Sequence, residues 1–137
     1  MFEKLHRTLL AELNAADELD WTRVCVDGSH VHAKGVSRDG SSAGRPAEDG
    51  SKHHLICDGR GTPFKVITTA ANVNDITQTL GLVDGIPPVA GRLGHPRRRP
   101  ESVLGDKAYD SKAVRRELQR RHLMPVISRW RRLRKPQ

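Results

Sequence analysis

Two short apolar stretches, far apart in the chain, each lead directly to an aspartate. The first, residues 24–26, ends at Asp27, and the second, residues 103–105, ends at Asp106. Their apolar residues predict a β-strand in each case. The carboxyl end of a strand holds a side chain rigidly, and open α/β folds place their chemistry there. A lone aspartate in this position is more often a turn or cap residue, so a functional interpretation requires the two strands to be neighbours.

Further apolar stretches predict the remaining strands. Residues 53–57 and 64–70 are joined by residues 58–63, whose Gly, Asp and Pro content predicts a hairpin turn. Residues 123–128 predict a last strand. Because proline cannot donate to a ladder, Pro125 favours an edge position or a strand end.

The strand that contains Asp27 is predicted over residues 22–34. The period of two places Asp27 and Ser29 on one face and Gly28, His30 and His32 on the other. The alternating histidines, with His53 and His54 later in the chain, leave open a transition-metal site. Ordinary strand and loop histidines are the favoured interpretation, since no cysteine or third histidine lies at a supporting spacing.

Helical spacing and capping residues predict three helices. The first begins at Phe2 and places one apolar face at Phe2, Leu5, Leu9, Leu13 and Ala16. Asp75 and Gln78 form a capping-box pattern before a short helix whose inner face is Ile76, Leu80 and Val83. Ser111, preceded by Asp110, is typical of a cap for a third helix over about residues 112–122. This order of strands and helices predicts an α/β fold.

The chain length favours one domain of 137 residues. We expect a helix within residues 1–20 and a basic tail at residues 130–137. Residues 35–51 carry little that could be buried, so we expect a long loop that is functional or disordered.

The charge is strongly basic and clustered. Lys and Arg number 24 against 16 Asp and Glu, a formal net charge of +8. Much of the excess is arginine, in the groups 97–99, 115–116, 120–121 and 129–134. Arginine matches phosphate geometry well, so this pattern favours a nucleic-acid partner over a solvated basic face.

Other classes of protein receive no support from the sequence. No apolar run approaches the roughly 18 residues of a membrane span, and Glu3 and Lys4 interrupt any signal-peptide core. We therefore expect a cytoplasmic protein without a membrane partner. Cys25 and Cys57 stand singly in apolar runs, which predicts buried reduced thiols, although a disulfide remains open.

Two aspartates brought together by neighbouring strands would repel each other unless a cation lay between them. Mg²⁺ and Mn²⁺ prefer such oxygen ligands. A pair of such ions about 4 Å apart can activate an attacking oxygen and stabilise the leaving oxygen of a phosphodiester. Asp27 and Asp106 are therefore candidate metal ligands, whereas we interpret the other aspartates as turn and cap residues.

Five blocks in order resemble the DDE transposases of bacterial insertion sequences. They are residues 26–30 (VDGSH), 50–55 (GSKHHL), 58–63 (DGRGTP), 69–75 (TAANVND) and 105–111 (GDKAYDS). The resemblance extends from about Leu5 to Arg129. It implies an α/β fold with an RNase H-like mixed sheet and flanking helices, incomplete at both ends. The resemblance further implies that residues 1–20 are a helix remaining from an upstream helical region, and that residues 21–129 are a partial catalytic core.

The resemblance also implies catalytic roles. Asp27 is similar to the family's first catalytic aspartate and Asp106 to its second, with Mg²⁺ or Mn²⁺ as the cofactor for DNA strand cleavage and transfer. The family's third carboxylate is a glutamate on a helix beyond the strand at residues 123–128, and we expect this chain to stop before it. Glu117 comes too early to match and is interpreted as a surface residue. A truncated transposase is the preferred hypothesis, and a catalytically inactive DNA-binding fragment is the alternative.

The expected partner is double-stranded DNA, both insertion-element ends and target, with a homo-oligomer possible. Candidate phosphate contacts are Lys52, Lys107, Arg97, Arg98, Arg99, Arg115 and Arg116. For the two lysines, a solvated side chain is an equally good interpretation.

Overall fold

The computed structural model describes residues 2–31 and 50–128. Its helices are α1 (Phe2–Ala15), α2 (Thr79–Asp84) and α3 (Lys112–Arg120). Its strands are β1 (Val24–Val31), β2 (Ser51–Asp58), β3 (Pro63–Ala70), β4 (Ser102–Gly105) and β5 (Met124–Ile127). Short 3₁₀ turns at Asp75–Gln78 and Lys107–Tyr109 precede α2 and α3. The expected loop at residues 35–51 and the basic tail at 130–137 lie almost wholly outside the described residues.

The strands form one five-stranded sheet in the order β3-β2-β1-β4-β5. β1 pairs antiparallel with β2, and β2 pairs antiparallel with β3. β4 pairs parallel with β1, and β5 pairs parallel with β4. An antiparallel three-stranded half joined to two parallel strands is the RNase H-like arrangement, which confirms the predicted fold class. Pro125 lies in β5, an edge strand, as expected.

The sheet has one covered face and one that is much less covered. Val24, Val26, Ile56 and Val103 are buried on the covered face, where they pack in the core with residues of α2 and α3. On the other face Asp27 and Ser29 are exposed, which follows the predicted alternation along β1. Cys25 and Cys57 also lie on this face, opposite each other in the register of β1 and β2. Both are free thiols, and they are half-buried rather than buried as expected.

The helix α1 is present, but its predicted apolar face was partly wrong. Leu10 and Asn14 are the residues that α1 buries, while Phe2, Leu5 and Leu9 are exposed. Asn14 is buried because its amide is satisfied on both sides: it donates to the Ala90 carbonyl at 2.9 Å and accepts from the Trp21 indole at 3.1 Å. A pattern of apolar residues alone does not detect a polar side chain used in this way.

The capping of the middle helix also differs from the prediction. Asn74, rather than Asp75, caps the 3₁₀ turn, because its side chain accepts from the backbone N–H of Ile76 at 3.1 Å. Asp75 is thereby released to turn inward. Before α3, the predicted cap is confirmed: the Ser111 hydroxyl accepts from the N–H of Val114.

The hairpin between β2 and β3 is stabilised by Asp58, a buried aspartate that has the turn role expected from the sequence. Asp58, 1% exposed, accepts from the backbone N–H groups of Asp20, Arg60 and Thr62 at 2.7–3.0 Å. Within residues 2–31 and 50–128, no helix is long and apolar enough to cross a membrane.

Candidate active site

Asp27 lies within the central strand β1, which continues to Val31 and does not end at Asp27 as expected. Asp106 directly follows β4, the parallel neighbour of β1. Cys25 of β1 pairs with Leu104 of β4. Continuing that register by two residues brings Asp27 level with Asp106, and the period of two directs both side chains to the same face. Both aspartates are solvent-exposed. The condition set by the sequence, that the two strands be neighbours, is therefore met.

Local backbone groups fix each carboxylate. One oxygen of Asp27 accepts from the N–H of Gly28 at 2.8 Å, and one oxygen of Asp106 accepts from the N–H of Ala108 at 2.8 Å. The second contact makes Asp106 the cap of the 3₁₀ turn that follows β4. The cap interpretation and the site interpretation of Asp106 are therefore compatible, because capping uses only one of its two oxygens.

Tyr109 links the two aspartates to the core. It is 2% exposed, and its hydroxyl has no hydrogen-bond partner within the described residues. A β-carbon at Gly105 would lie 3.2 Å from the Tyr109 β-carbon, so the absence of a side chain at Gly105 allows this close packing. Burial raises the pKa of the Tyr109 phenol well above its usual value, and the charges of Asp75, Asp27 and Asp106 raise it further.

Asp75 was missed by the sequence interpretation, which treated it as a cap. Its carboxylate lies 2.7 Å from the Lys52 ammonium and 3.6 Å from Nδ1 of His54. A β-carbon at Gly28 would lie 3.1 Å from the same carboxylate, so Asp75 packs against the residue that follows Asp27. The one signal available in the sequence was the adjacent Asn74, an equally good cap.

Lys52 is not the surface cation that the sequence suggested. It is 9% exposed, donates to the Val73 carbonyl at 3.3 Å and forms the ion pair with Asp75. The alternation of β2 directs residues 52, 54, 56 and 58 to the covered face. Lys52 therefore belongs to an internal polar cluster instead of a phosphate-binding surface.

The arginines at 97–99 are exposed, but each also has an intramolecular contact. The Arg97 guanidinium lies 5.1 Å from the centre of the Trp21 ring, and Arg98 donates to the Ile86 carbonyl. Arg99 lies 3.4 Å from a carboxylate oxygen of Asp84. Part of this basic cluster thus holds its own loop in place.

The remaining candidate phosphate contacts divide into two kinds. Arg115 is largely buried, ion-paired to Asp110 at 2.8 Å and hydrogen-bonded to the Ile127 carbonyl, so it joins α3 to β5. Arg116 and Lys107 are exposed near the start of α3. Glu117, expected at the surface, pairs with Arg120 and Arg121 at 3.0–3.2 Å.

The histidines do not form a metal cluster within the described part of the chain. His53 lies on the exposed face of β2, with Nδ1 3.0 Å from the Thr68 hydroxyl, whereas His54 is fully buried and contacts Thr69 at 2.7 Å. Burial lowers the pKa of His54, against the opposing effect of Asp75. His32 and the side chain of His30 lie outside the described residues. Within residues 2–31 and 50–128, no group of three or more His, Cys, Asp or Glu side chains could hold a metal ion.

Two carboxylates nevertheless fit a magnesium-type ion. Mg²⁺ is usually bound through one or two protein carboxylates, with water and substrate phosphate completing its shell. Asp27 and Asp106 are exposed and each uses one oxygen for a backbone contact. Their donor chemistry and accessibility therefore suit a hard divalent cation.

An RNase H-like sheet with one aspartate within its central strand and another directly after the neighbouring parallel strand is the arrangement that the resemblance to DDE transposases implied. A profile of the family described as "Transposase DDE domain" matches residues 20–136, most of the chain. The chain belongs to this transposase family.

A curated Burkholderia cepacia protein is similar over part of its length. It is assigned as a transposase for insertion sequence element IS402 and is 52% identical over 85 residues. The match includes 62% of this chain and 40% of the relative. This chain thus spans well under half the length of that relative.

Three solved structures are similar to part of this chain at low sequence identity. The simian T-cell lymphotropic virus intasome, in complex with a PP2A regulatory subunit, matches with TM-score 0.49 and 13% identity over 80% of this chain and 32% of that one. The piggyBac transposase synaptic complex with hairpin DNA matches with TM-score 0.46 and 12% identity, over 77% of this chain and 22% of that one. The Mos1 strand transfer complex matches with TM-score 0.44 and 17% identity, over 88% of this chain and 40% of that one.

Proposed function

We propose that this chain is part of the catalytic core of an insertion-element transposase, in which Asp27 and Asp106 bind Mg²⁺ or Mn²⁺ for DNA strand cleavage and transfer. One observation carries the proposal: a chain of the DDE family has two exposed aspartates at the same level of adjacent parallel strands. Each aspartate uses one carboxylate oxygen for a backbone hydrogen bond, which leaves its second oxygen for a cation.

The protein's own contribution is to hold the two carboxylates in place. The backbone N–H groups of Gly28 and Ala108 orient one oxygen of each, and the buried Tyr109 ring supports the turn that carries Asp106. When bound, a divalent ion polarises the phosphodiester and activates the attacking hydroxyl. A rigid placement of its ligands is needed because small displacements cost large factors in rate.

DNA binding would use exposed basic residues in the turn and helix after Asp106 and in the loop before β4. Arg97, Arg98, Arg99, Lys107 and Arg116 remain candidates for phosphate contacts because their side chains are exposed. The net charge of +8 supports such contacts. Binding of this kind weakens steeply as the salt concentration rises.

The wider setting follows from the family. Residues 21–129 would belong to the catalytic core, with a helix in residues 1–20 before it and a basic tail at residues 130–137 after it. The partner would be double-stranded DNA of the element ends and target, in the cytoplasm, with the transposase acting as an oligomer.

A second candidate is DNA binding without catalysis. It is favoured by the lack, within residues 2–31 and 50–128, of a third acidic group clustered with Asp27 and Asp106 in a way that could hold a metal. In this case the basic residues would act alone.

A cleavage assay separates the two candidates. The substrate is a labelled duplex that spans the terminal inverted repeat of the insertion element encoding this chain, incubated with Mg²⁺ or Mn²⁺. The parent is compared with Asp27→Ala, Asp106→Ala and Asp84→Ala, the last being an ion-paired aspartate elsewhere. Metal-dependent cleavage that Asp27→Ala and Asp106→Ala abolish, and Asp84→Ala retains, supports the proposal. Equal cleavage in all variants overturns it, and salt-sensitive binding without any cleavage supports the second candidate.

A further inference from the structure

A buried polar cluster lies on the covered side of β1, directly behind the candidate metal site. Lys52 and His54 project into it from β2, and Asp75 enters from the turn before α2. His54 pairs across the sheet with Gly28, the residue after Asp27. Because Gly28 has no side chain, the Asp75 carboxylate can lie against the backbone of β1 at this point.

The charges in the cluster are nearly isolated from solvent. The Lys52 and Asp75 side chains are 11% and 20% exposed, and His54 is fully buried. Lys52 lies 2.7 Å from one oxygen of Asp75 but directs a hydrogen bond to the Val73 carbonyl at 3.3 Å. That oxygen therefore has a charge partner without a well-aligned donor, which agrees with its lack of a hydrogen bond within the described residues.

Two further buried groups near the cluster lack hydrogen-bond partners among the described residues: Nδ1 of His54 and the hydroxyl of Tyr109. Tyr109 lies in the short turn that Asp106 caps, and it packs against Gly105. Buried unpaired polar atoms cost free energy, so their concentration behind one site calls for a functional reason.

We propose that Asp75, balanced by Lys52, is a positioning residue that sets the electrostatic field at the Asp27 and Asp106 cation site. Asp75 supports β1 at Gly28, next to Asp27, and adds a negative charge behind the two carboxylates. Lys52 offsets this charge, so the pair adjusts how strongly the site attracts a divalent cation. This inference rests on the proposed metal-binding role of Asp27 and Asp106.

The proposal predicts opposite effects for the two members of the pair. Neutralising Asp75 leaves the Lys52 charge behind the site and should weaken Mn²⁺ binding. Neutralising Lys52 leaves the Asp75 charge behind the site and should strengthen Mn²⁺ binding. We expect one nearby buried unit charge, partly screened by solvent, to change the affinity of the site for a divalent ion about three- to tenfold. A purely structural support would instead weaken binding in both variants.

The test measures Mn²⁺ affinity by the electron paramagnetic resonance signal of the free ion, with the full chain at low ionic strength. Asp27→Asn and Asp106→Asn define the part of the binding that belongs to the site. The informative variants are Asp75→Asn, Lys52→Gln and the combination of both. Asp84→Asn is the matched control, since it neutralises an ion-paired aspartate elsewhere. Circular dichroism shows which variants are folded.

We expect Asp75→Asn to bind Mn²⁺ three- to tenfold more weakly, Lys52→Gln to bind it more tightly, and the double variant to return close to the parent. Should Asp75→Asn fail to fold, the increase expected for Lys52→Gln still decides the matter. An unchanged affinity in the variants that fold, or weakening by both substitutions and by their combination, overturns this inference alone. Equal binding by the parent, Asp27→Asn and Asp106→Asn would instead overturn the proposed metal site.

Discussion

Asp75 occupies the space that a side chain at Gly28 would need. A β-carbon at Gly28 would lie 3.1 Å from the nearest carboxylate oxygen of Asp75 and 3.3 Å from its carboxyl carbon. These contacts are tighter than ordinary packing, and the carboxylate cannot move freely because it is paired with Lys52. The glycine next to Asp27 is therefore required by a contact across the fold.

We predict that Gly28→Ala destabilises the protein. The new methyl group must push the Asp75 carboxylate, which is held by Lys52, by a few tenths of an ångström. Such overpacking costs about 1–3 kcal/mol. Urea unfolding followed by circular dichroism measures the change. The matched control is Gly81→Ala in α2, where the nearest atom would be 3.6 Å away and the helix gains from alanine. Equal effects of the two substitutions would contradict the role given to Asp75.

Protonation of His54 should make the stability depend on pH. Burial lowers the pKa of His54 in the folded protein below the ordinary value of 6.5, with Lys52 and His53 contributing and Asp75 opposing. As the pH falls below about 6.5, the unfolded chain binds a proton at this residue and the folded protein does not. The free energy of unfolding therefore decreases as the pH falls through this range.

The variant His54→Gln tests this dependence. Its free energy of unfolding should decrease less between pH 7.5 and 5.5 than that of the parent, because glutamine cannot take up the proton. His53→Gln, on the opposite face of β2, should retain the parent's decrease. The same decrease in the parent and in His54→Gln would show that another group is responsible.

Arg121 should stabilise the packing of α3 against the end of α2. Its guanidinium donates two parallel hydrogen bonds to Asp84, both at 2.9 Å, and a third to Glu117. The hydrogen bond from Arg121 is the main cause that lowers the pKa of Asp84. Since the Asp84 side chain is 45% exposed, solvent screening limits this pair to about 1 kcal/mol.

We predict that Arg121→Met lowers the free energy of unfolding by about that amount at pH 7. The contribution exists above the pKa of Asp84 in the unfolded chain and is lost as the pH falls through its lower folded value. Parent and variant should therefore converge in strong acid. Arg120→Met is the control, because the Arg120 side chain is 74% exposed and its ion pair among the described residues is with Glu117. An equal loss in both variants would contradict the account.

The sequence predicted those parts of the structure that depend on local chemistry. The short apolar stretches before Asp27 and Asp106 indicated two strands without a structure. The expected strand end at Asp27 was wrong, because β1 continues to Val31, whereas Asp106 does follow the last residue of β4. The Ser111 cap and the Asp58 turn are local as well, and both are confirmed. The resemblance to the transposase blocks correctly supplied the fold class.

What could not be predicted depends on strand register and on contacts between distant segments. Lys52 looked like a surface cation because its burial follows from the pairing of β2 and from Asp75, 23 positions later in the chain. Asp75 looked like a cap because Asn74 and Asp75 are chemically equivalent in that role, and only the geometry shows that Asn74 performs it. The inward face of α1 was misassigned for a related reason, since its key residue is the polar Asn14.

The claim that Asp27 and Asp106 share a divalent cation is tested most directly by a crystal structure of this chain grown with MnCl₂. Anomalous diffraction at a wavelength where manganese scatters strongly would locate the ion independently of any assumption about its ligands. The account predicts a peak at coordination distance from a carboxylate oxygen of Asp27 and one of Asp106, and its loss in the Asp106→Asn variant. No peak between the two aspartates, or a peak held by other residues and unchanged in that variant, would contradict it.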